Sequence, residues 1–483
     1  MSTGVQATLS PSYAPVPTAP DGSFNSAKTD HAAPQNRKRI IRRVLIIGTV
    51  AAASWAAGRS SSGGMAGERL FMSTSYGWDS VNGEACNPYA QPGVLNVDTA
   101  VPSLNAWQPL FAPPSCQPVD YMSALQSFQR NQATSNETVD IEFLRGRTVA
   151  IFGDSVDREH NDHFCGLIGG RFETIESSNE LHPPYPPGQE LPPEGYKSVI
   201  SGEREWPNFS SSRPHVCHIE KLNFRILNVF HYGFEDATPA LLNHGHYYPP
   251  SSVEDRFDQV LVPLMRGLAQ KYGSSPIPDI LSVSPGFWGI MWQTVQDARL
   301  LDLAIHAGED PEVAKKKHDV WRSMNPKTRR FSEKRVADIV RHLAKGWKGE
   351  EKRPLMLWRA LHFIKNKDSV PVTSSVALDR IGRSVVERLI DEGRAAEAGG
   401  RMWKAWGESF AAQSIGFQTE GREEVLEGGL GRRLKIDEWA TLMLGHPQHL
   451  RDEIHPNPLP GSWLYGNMLL HSLRMKVAAE RQL

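Results

Sequence analysis

From Tyr121 onward, short apolar runs alternate with longer amphipathic stretches, and this alternation constrains the fold more than any other feature of the sequence. Thr148–Phe152 (TVAIF), Phe224–Tyr232 (FRILNVFHY), Ile280–Ser284 (ILSVS) and Leu355–Leu361 (LMLWRAL) have the length and composition of strands. Helical patterns lie at Val253–Tyr272, Glu333–Trp347 and Arg383–Ala396; in the first, Val260, Leu261, Leu264 and Leu268 share one face. Strands separated by helices predict an α/β domain, a parallel sheet with helices on both faces. The chain ends in a predicted helix near Trp463–Ala479, and it contains no internal repeat.

The residues before Tyr121 follow different rules. The first stretch is rich in Ser, Thr, Pro and Ala, too poor in bulky apolar groups to offset chain entropy, and reads as a disordered tail. It closes on a basic cluster of Arg37, Lys38, Arg39, Arg42 and Arg43. The apolar run Val44–Ala57 follows, flanked by Gly58 and Arg59. A full membrane span needs about 20 apolar residues. Ile40 and Ile41 extend the run, with Arg42 and Arg43 snorkelling to the interface. A cleaved signal peptide would need an unusually long leading region. A buried soluble helix would find no partner in the polar flanks. The expected organisation is a cytosolic tail over 1–43, a transmembrane signal-anchor over 44–58, a stem and Pro-rich lead-in over 59–120, and the α/β domain over 121–483. Positive charge ahead of the run keeps the tail in the cytosol and places the rest in the lumen.

The four cysteines, Cys86, Cys116, Cys165 and Cys217, all follow the apolar run, and none is spaced as a CxxC zinc site. Their even number fits two disulfides in an oxidising compartment, with a connectivity that spacing alone leaves open. Proximity in sequence favours Cys86 with Cys116 and Cys165 with Cys217. The sequons at Asn136 and Asn208 agree with a lumenal domain. Net charge is −1, with acids and bases nearly balanced, so the chain lacks the basic footprint of a nucleic-acid binder. Its 13 Trp residues are read mainly as core packing.

Two motifs carry chemistry. In Val149-Ala-Ile-Phe-Gly-Asp-Ser-Val-Asp-Arg-Glu-His, an apolar strand ends in Gly153-Asp154-Ser155 where a helix begins. Ligands bind beyond the carboxyl ends of parallel strands, and a Ser there sits at a helix N-terminus, which favours developing negative charge. The plain alternative is that Asp154 or Ser155 only caps the helix. The second motif is Arg451-Asp-Glu-Ile-His-Pro-Asn-Pro-Leu-Pro-Gly-Ser-Trp-Leu-Tyr-Gly-Asn. A nucleophilic Ser needs a base, and the base needs an orienting carboxylate. Asp452 and His455 have the spacing to supply both, on a loop stiffened by Pro456, Pro458 and Pro460. Here the plain alternative is a surface loop with an incidental Asp and His.

Gly153-Asp154-Ser155 after a strand, with Asp452-x-x-His455 near the C-terminus, resembles the SGNH/GDSL-like hydrolase superfamily. More narrowly it resembles the PC-esterase type shared by plant trichome-birefringence-like polysaccharide O-acetyltransferases and fungal Golgi-type members. The phrases FGDSVDREH and HPNPLPGSWLYGN carry the fungal likeness, and the resemblance spans about residues 145–475. It implies a three-layer α/β/α, flavodoxin-like domain in a type II Golgi membrane protein. It implies Ser155 as nucleophile, His455 as base and Asp452 as its orienter, acting without a cofactor on acyl groups, chiefly acetyl, of carbohydrate. The family's Gly-x-Asn-Asp block is missing. Gly286, in Ser284-Pro-Gly-Phe-Trp, and Arg359 are the nearest candidates for oxyanion or substrate contacts, and His362 for a supporting group; for Arg359 the plain alternative is a salt bridge at a strand end, and for His362 a satisfied polar side chain.

Two rival readings remain at this level. Asp157, His160 and His163 fall on successive turns of one helix and form a possible metal face, as do His244 and His246. Asp157 is expendable in the serine reading and a ligand in the metal reading. The other rival is a non-catalytic carbohydrate-binding or scaffolding protein on the same fold.

Overall fold

The computed structural model describes residues 86–131, 139–184, 212–234, 249–318, 326–347, 352–364, 372–407, 430–452 and 454–482. The tail, the Val44–Ala57 run, both sequons and the His244/His246 pair lie outside them. Among the described residues no helix is long and apolar enough to cross a membrane.

All four apolar runs form strands of one sheet. Strands β1 (Gly93–Asn96) and β2 (Ala106–Pro109) make a separate antiparallel ribbon. The main sheet contains β3 (Thr148–Gly153), β4 (Arg171–Thr174), β5 (His215–Ile219), β6 (Phe224–Phe230), β7 (Ile280–Val283), β8 (Leu355–Arg359) and β9 (Leu434–Asp437). Their order is β4-β5-β6-β3-β7-β8-β9. From β6 to β9 neighbouring strands run parallel, as expected. The other edge corrects the expectation of an all-parallel sheet, because β5 is antiparallel to both β4 and β6. The link from β5 to β6 is a short 3-10 turn, Glu220–Leu222, closed by Asn223 at φ 50°. So short a link permits a hairpin but not the crossover that a parallel pair needs.

The helices are α1 (Tyr121–Gln129), α2 (Ser155–Ile168), α3 (Val253–Arg256), α4 (Val262–Tyr272), α5 (Trp288–His306), α6 (Pro311–Lys317), α7 (Pro326–Lys345), α8 (Val372–Gly407), α9 (Leu430–Arg433), α10 (Trp439–Leu442) and α11 (Trp463–Gln482). The predicted Val253–Tyr272 helix is helical throughout, but a π turn at Phe257–Leu261 separates α3 from α4. Pro263 has no N–H to give the carbonyl four residues back, and the ladder widens just before it.

Alternation along the buried strands sends side chains to two cores. Val149, Ile151, Leu355 and Leu357 join Met122 and Leu125 of α1, Phe164 and Ile168 of α2, and Leu469 and Leu473 of α11. Ala150, Phe152, Met356 and Trp358 face the other way, against Leu264 and Leu268 of α4, Val336 and Val340 of α7, and Val385 and Leu389 of α8. Helices therefore cover both faces of the sheet. Tyr89 and Leu95 belong to the first core, so the packed body begins ahead of the expected boundary at Tyr121. Trp358, Trp439 and Trp463 are fully buried, in line with a packing role.

The strand order also places the site. The chain passes from β3 to β6 on one side, then crosses back to β7 on the other. Strand β3 is thus the point where the winding direction reverses, and ligands of open α/β sheets bind beyond the carboxyl ends at such a point. Gly153 ends β3 and Ser155 begins α2.

Both expected disulfides are present, Cys86–Cys116 and Cys165–Cys217, with Cα separations of 5.5 and 5.6 Å. The second ties α2 to β5 across 52 residues of chain. Replacing both of its cysteines by Ala is expected to cost about 2–4 kcal/mol by releasing the unfolded chain. Urea unfolding of the α/β domain measures this, and an unchanged midpoint would refute it.

Candidate active site

The turn after β3 is built around two carboxylates. Asp154 caps α2: its Oδ1 accepts the Val156 N–H at 3.0 Å. Asp157 completes a capping box, its Oδ2 accepting the Asp154 N–H at 3.1 Å. The position of Gly153 follows, because a Cβ there would stand 2.0 Å from Asp157 Oδ2. The capping reading of the motif is therefore right about Asp154. Capping by Asp154 leaves Ser155 at the first helical position, where its hydroxyl is free for other partners.

Beneath the turn lies a buried ion pair. Arg359, at the end of β8, gives its Nε and Nη2 to the two oxygens of Asp157, the second at 2.8 Å. The same Nη2 donates to Ser284 Oγ at 2.7 Å, just past β7. Burial opposes the guanidinium charge, but Asp157 and Asp154 raise its pKa above the ordinary value. Asp154 is pushed up by burial and then by Asp157, against the pull of Arg359 and two backbone N–H groups.

This network decides between the two readings of Arg359 in favour of the salt bridge and corrects the expectation for Gly286. Arg359 is fully buried and spent on Asp157 and Ser284, so it is not placed to hold substrate. The Gly286 N–H donates to Ser284 Oγ at 3.1 Å, so it is not free for an oxyanion. Gly286 adopts φ 68° beside Asp154, where a Cβ would come within 3.0 Å of Oδ2. That close approach lets the next N–H, from Phe287, reach Asp154 Oδ2 at 2.7 Å.

Above the turn, the two sequence motifs meet. His455 Nε2 lies 2.7 Å from Ser155 Oγ, across 300 residues of chain. Its Nδ1 lies 2.8 Å from each oxygen of Asp452, whose Oδ1 also accepts the His455 backbone N–H at 3.0 Å. Burial would raise the Asp452 carboxyl, but the His455 N–H and ring hold it below its ordinary value. His362 supports the loop from below by donating Nε2–H to the Ile454 carbonyl at 2.6 Å. Burial keeps this ring neutral, with a pKa pushed down to about 3.

The proposed metal face is occupied by protein groups. Asp157 is held by Arg359, while His160 and His163 each place Nδ1 3.0 Å from Ser462 Oγ. His160 also stacks on Tyr465 at 4.2 Å, and burial holds its pKa well below the usual value. Among the described residues no cluster of three or more His, Cys, Asp or Glu could hold a metal. The sequence reading gave no role to Ser284 or Ser462, although both lie in the segments it singled out. It also missed Glu159, although a residue four after Ser155 shares its helix face. Comparison with known proteins finds no matching family model and no matching curated protein.

Two outcomes follow from the network. Arg359→Met removes one partner of a buried pair and should cost about 3–5 kcal/mol, read by chemical denaturation. An effect below about 1 kcal/mol would mean the pair does not hold the turn. The second concerns His231, at the end of β6, which donates Nε2–H to the Ser284 carbonyl at 2.9 Å and accepts the Gly233 N–H at Nδ1. Burial lowers its pKa from 6.5 to about 4. Between those values the unfolded chain binds a proton that the folded chain refuses, so stability falls as pH drops from 6.5 toward 4. His231→Gln should flatten the dependence of melting temperature on pH in that window, and an unaltered slope would discount this histidine.

Proposed function

We propose that this domain is a serine-dependent acyl esterase or O-acyltransferase of the SGNH type. One observation carries the reading: His455 spans Ser155 Oγ at 2.7 Å and Asp452 at 2.8 Å. Those distances lie within the range for proton transfer and for orientation of the ring. In this mechanism His455 Nε2 takes the Ser155 proton as Oγ attacks an ester carbonyl. Asp452 fixes the tautomer that leaves Nε2 unprotonated and stabilises the imidazolium. The developing oxyanion is assigned to the Ser155 N–H at the start of α2, where the helix dipole adds to it. The leaving alcohol takes the proton back from Nε2. Water or a second hydroxyl then attacks the acyl-Ser155 ester by the same route in reverse. Hydrolysis and transfer differ only in which hydroxyl reaches that ester.

Acyl groups on carbohydrate, acetyl first among them, are the proposed substrates, on the strength of the FGDSVDREH and HPNPLPGSWLYGN resemblance. The proposed setting is the Golgi lumen, behind a type II anchor at Val44–Ala57. The basic cluster ahead of that run and the two disulfides support it.

The purified lumenal domain should react with a fluorophosphonate probe and hydrolyse an activated acetyl ester. Ser155→Ala should lose both, and retention of either would end the serine reading. Asp452→Asn keeps an oxygen for the His455 N–H but loses the charge partner of the ring. Its kcat should fall on the order of 10³-fold with folding intact by circular dichroism. Turnover should also fall on acidification, because a protonated His455 cannot accept the Ser155 proton.

A further inference from the structure

Glu159 lies one helical turn beyond Ser155 on α2, and its side chain is 9% exposed. Its Oε1 accepts Arg451 Nη2 at 2.6 Å and stands 4.0 Å from His455 Nε2. Its Oε2 is buried and has no hydrogen-bond partner among the described residues. A carboxylate buried with one oxygen unsatisfied costs stability. The pair it forms returns little, since the Arg451 side chain is half exposed. Stability therefore does not account for a charge at this position.

The attachments of Arg451 do account for it. Its backbone N–H donates to the His455 carbonyl at 2.8 Å, closing the turn that carries Asp452 and His455. Leu450 and Pro456 pair across the base of that turn. The turn is thus braced internally, and its guanidinium reaches α2 at a residue on the same face as Ser155. Further along the segment, Ser462 meets His160 and His163, again on α2. These lie seven residues past His455; within the turn itself His362 holds the Ile454 carbonyl, and the Arg451–Glu159 pair ties the turn to α2.

We propose that Glu159 and Arg451 are positioning residues, whose ion pair sets the separation of His455 Nε2 and Ser155 Oγ by fastening the Asp452–His455 turn to the nucleophile helix. The proposal rests on the serine reading given above. Its physical basis is that proton transfer needs heavy atoms about 2.6–3.2 Å apart, and that a shift of about 1 Å can cost on the order of 100-fold in rate.

The test compares Glu159→Ala, Glu159→Gln, Arg451→Ala and the double Ala variant in the lumenal domain. An activated acetyl ester gives kcat and KM, thermal melting gives stability, and hydrogen exchange is followed over residues 449–457. Each single Ala variant should lower kcat by roughly 10- to 100-fold and leave KM within about twofold. The double variant should be no slower than either single one, because both remove the same link. Glu159→Gln should recover part of the loss, since its amide oxygen still accepts from Arg451. Glu159→Ala should melt no lower than the parent while its 449–457 segment exchanges faster. A wild-type kcat in Glu159→Ala, or additive losses in the double variant, would overturn the proposal. So would a kcat loss accompanied by lower melting and faster exchange throughout α2, which would mark a merely structural role. Should Ser155→Ala keep full activity, the serine reading fails, and the exchange experiment still decides the clamp: unchanged exchange over 449–457 refutes it.

Discussion

The buried pair of Arg359 and Asp157 is the interaction on which the remainder of the site depends. Two carboxylates, Asp154 and Asp157, sit almost without solvent at the end of the central strand, where burial and mutual repulsion both oppose their charge. The Arg359 guanidinium offsets part of that repulsion and fills both oxygens of Asp157. Asp157 then holds the Asp154 N–H, and Asp154 holds Val156 and Phe287. Arg359 reaches Ser284 as well, and His231 binds the Ser284 carbonyl from the other side. The ends of β6, β3, β7 and β8 are thereby joined by one polar network. Buried ions are tolerated only when such bonding is nearly complete.

The network separates support from chemistry. Asp154, Asp157, Arg359 and Ser284 below Ser155 are each engaged with other protein groups, so the platform has little freedom to shift when charge develops above it. Preorganisation of this kind spares the reorganisation that free solvent would require. The base is arranged differently. Asp452 and His455 stand on a partly exposed loop without regular structure, 300 residues from the nucleophile. Its position comes from attachments at both ends: His362 below Ile454, Arg451 on Glu159, and Ser462 between two histidines of α2. A rigid nucleophile and an attached base are the two parts of one site, and they answer to different residues.

The comparison of sequence and structure turns on the range over which each interaction acts. Apolar runs such as TVAIF and LMLWR are strands because a fully buried strand needs continuous apolar character, a property of neighbouring residues. Strand β5 was not legible, since HVCHI interleaves two histidines and a cysteine with its apolar residues. Those polar groups are accommodated by partners on other elements, Asp162 for His215, Glu173 for His218 and Cys165 for Cys217. Asp157, His160 and His163 present the reverse error. Their spacing is right for a metal, but spacing is silent on Arg359 and Ser462, which arrive from far along the chain and occupy them.

The sequence by itself therefore determined what local chemistry decides. It placed the main strands and helices, put Ser155 where a strand meets a helix, and paired a carboxylate with an imidazole three residues away at Asp452 and His455. Tertiary structure alone decided which partners these groups meet. It reversed β5 against its neighbours, made Arg359 a buried counter-ion rather than a substrate contact, spent the Gly286 N–H on Ser284, and set Glu159 beside His455. The physical reason is that side-chain chemistry and backbone propensity act within a few residues. Burial, charge pairing and hydrogen-bond satisfaction are settled only where distant segments of the chain come together.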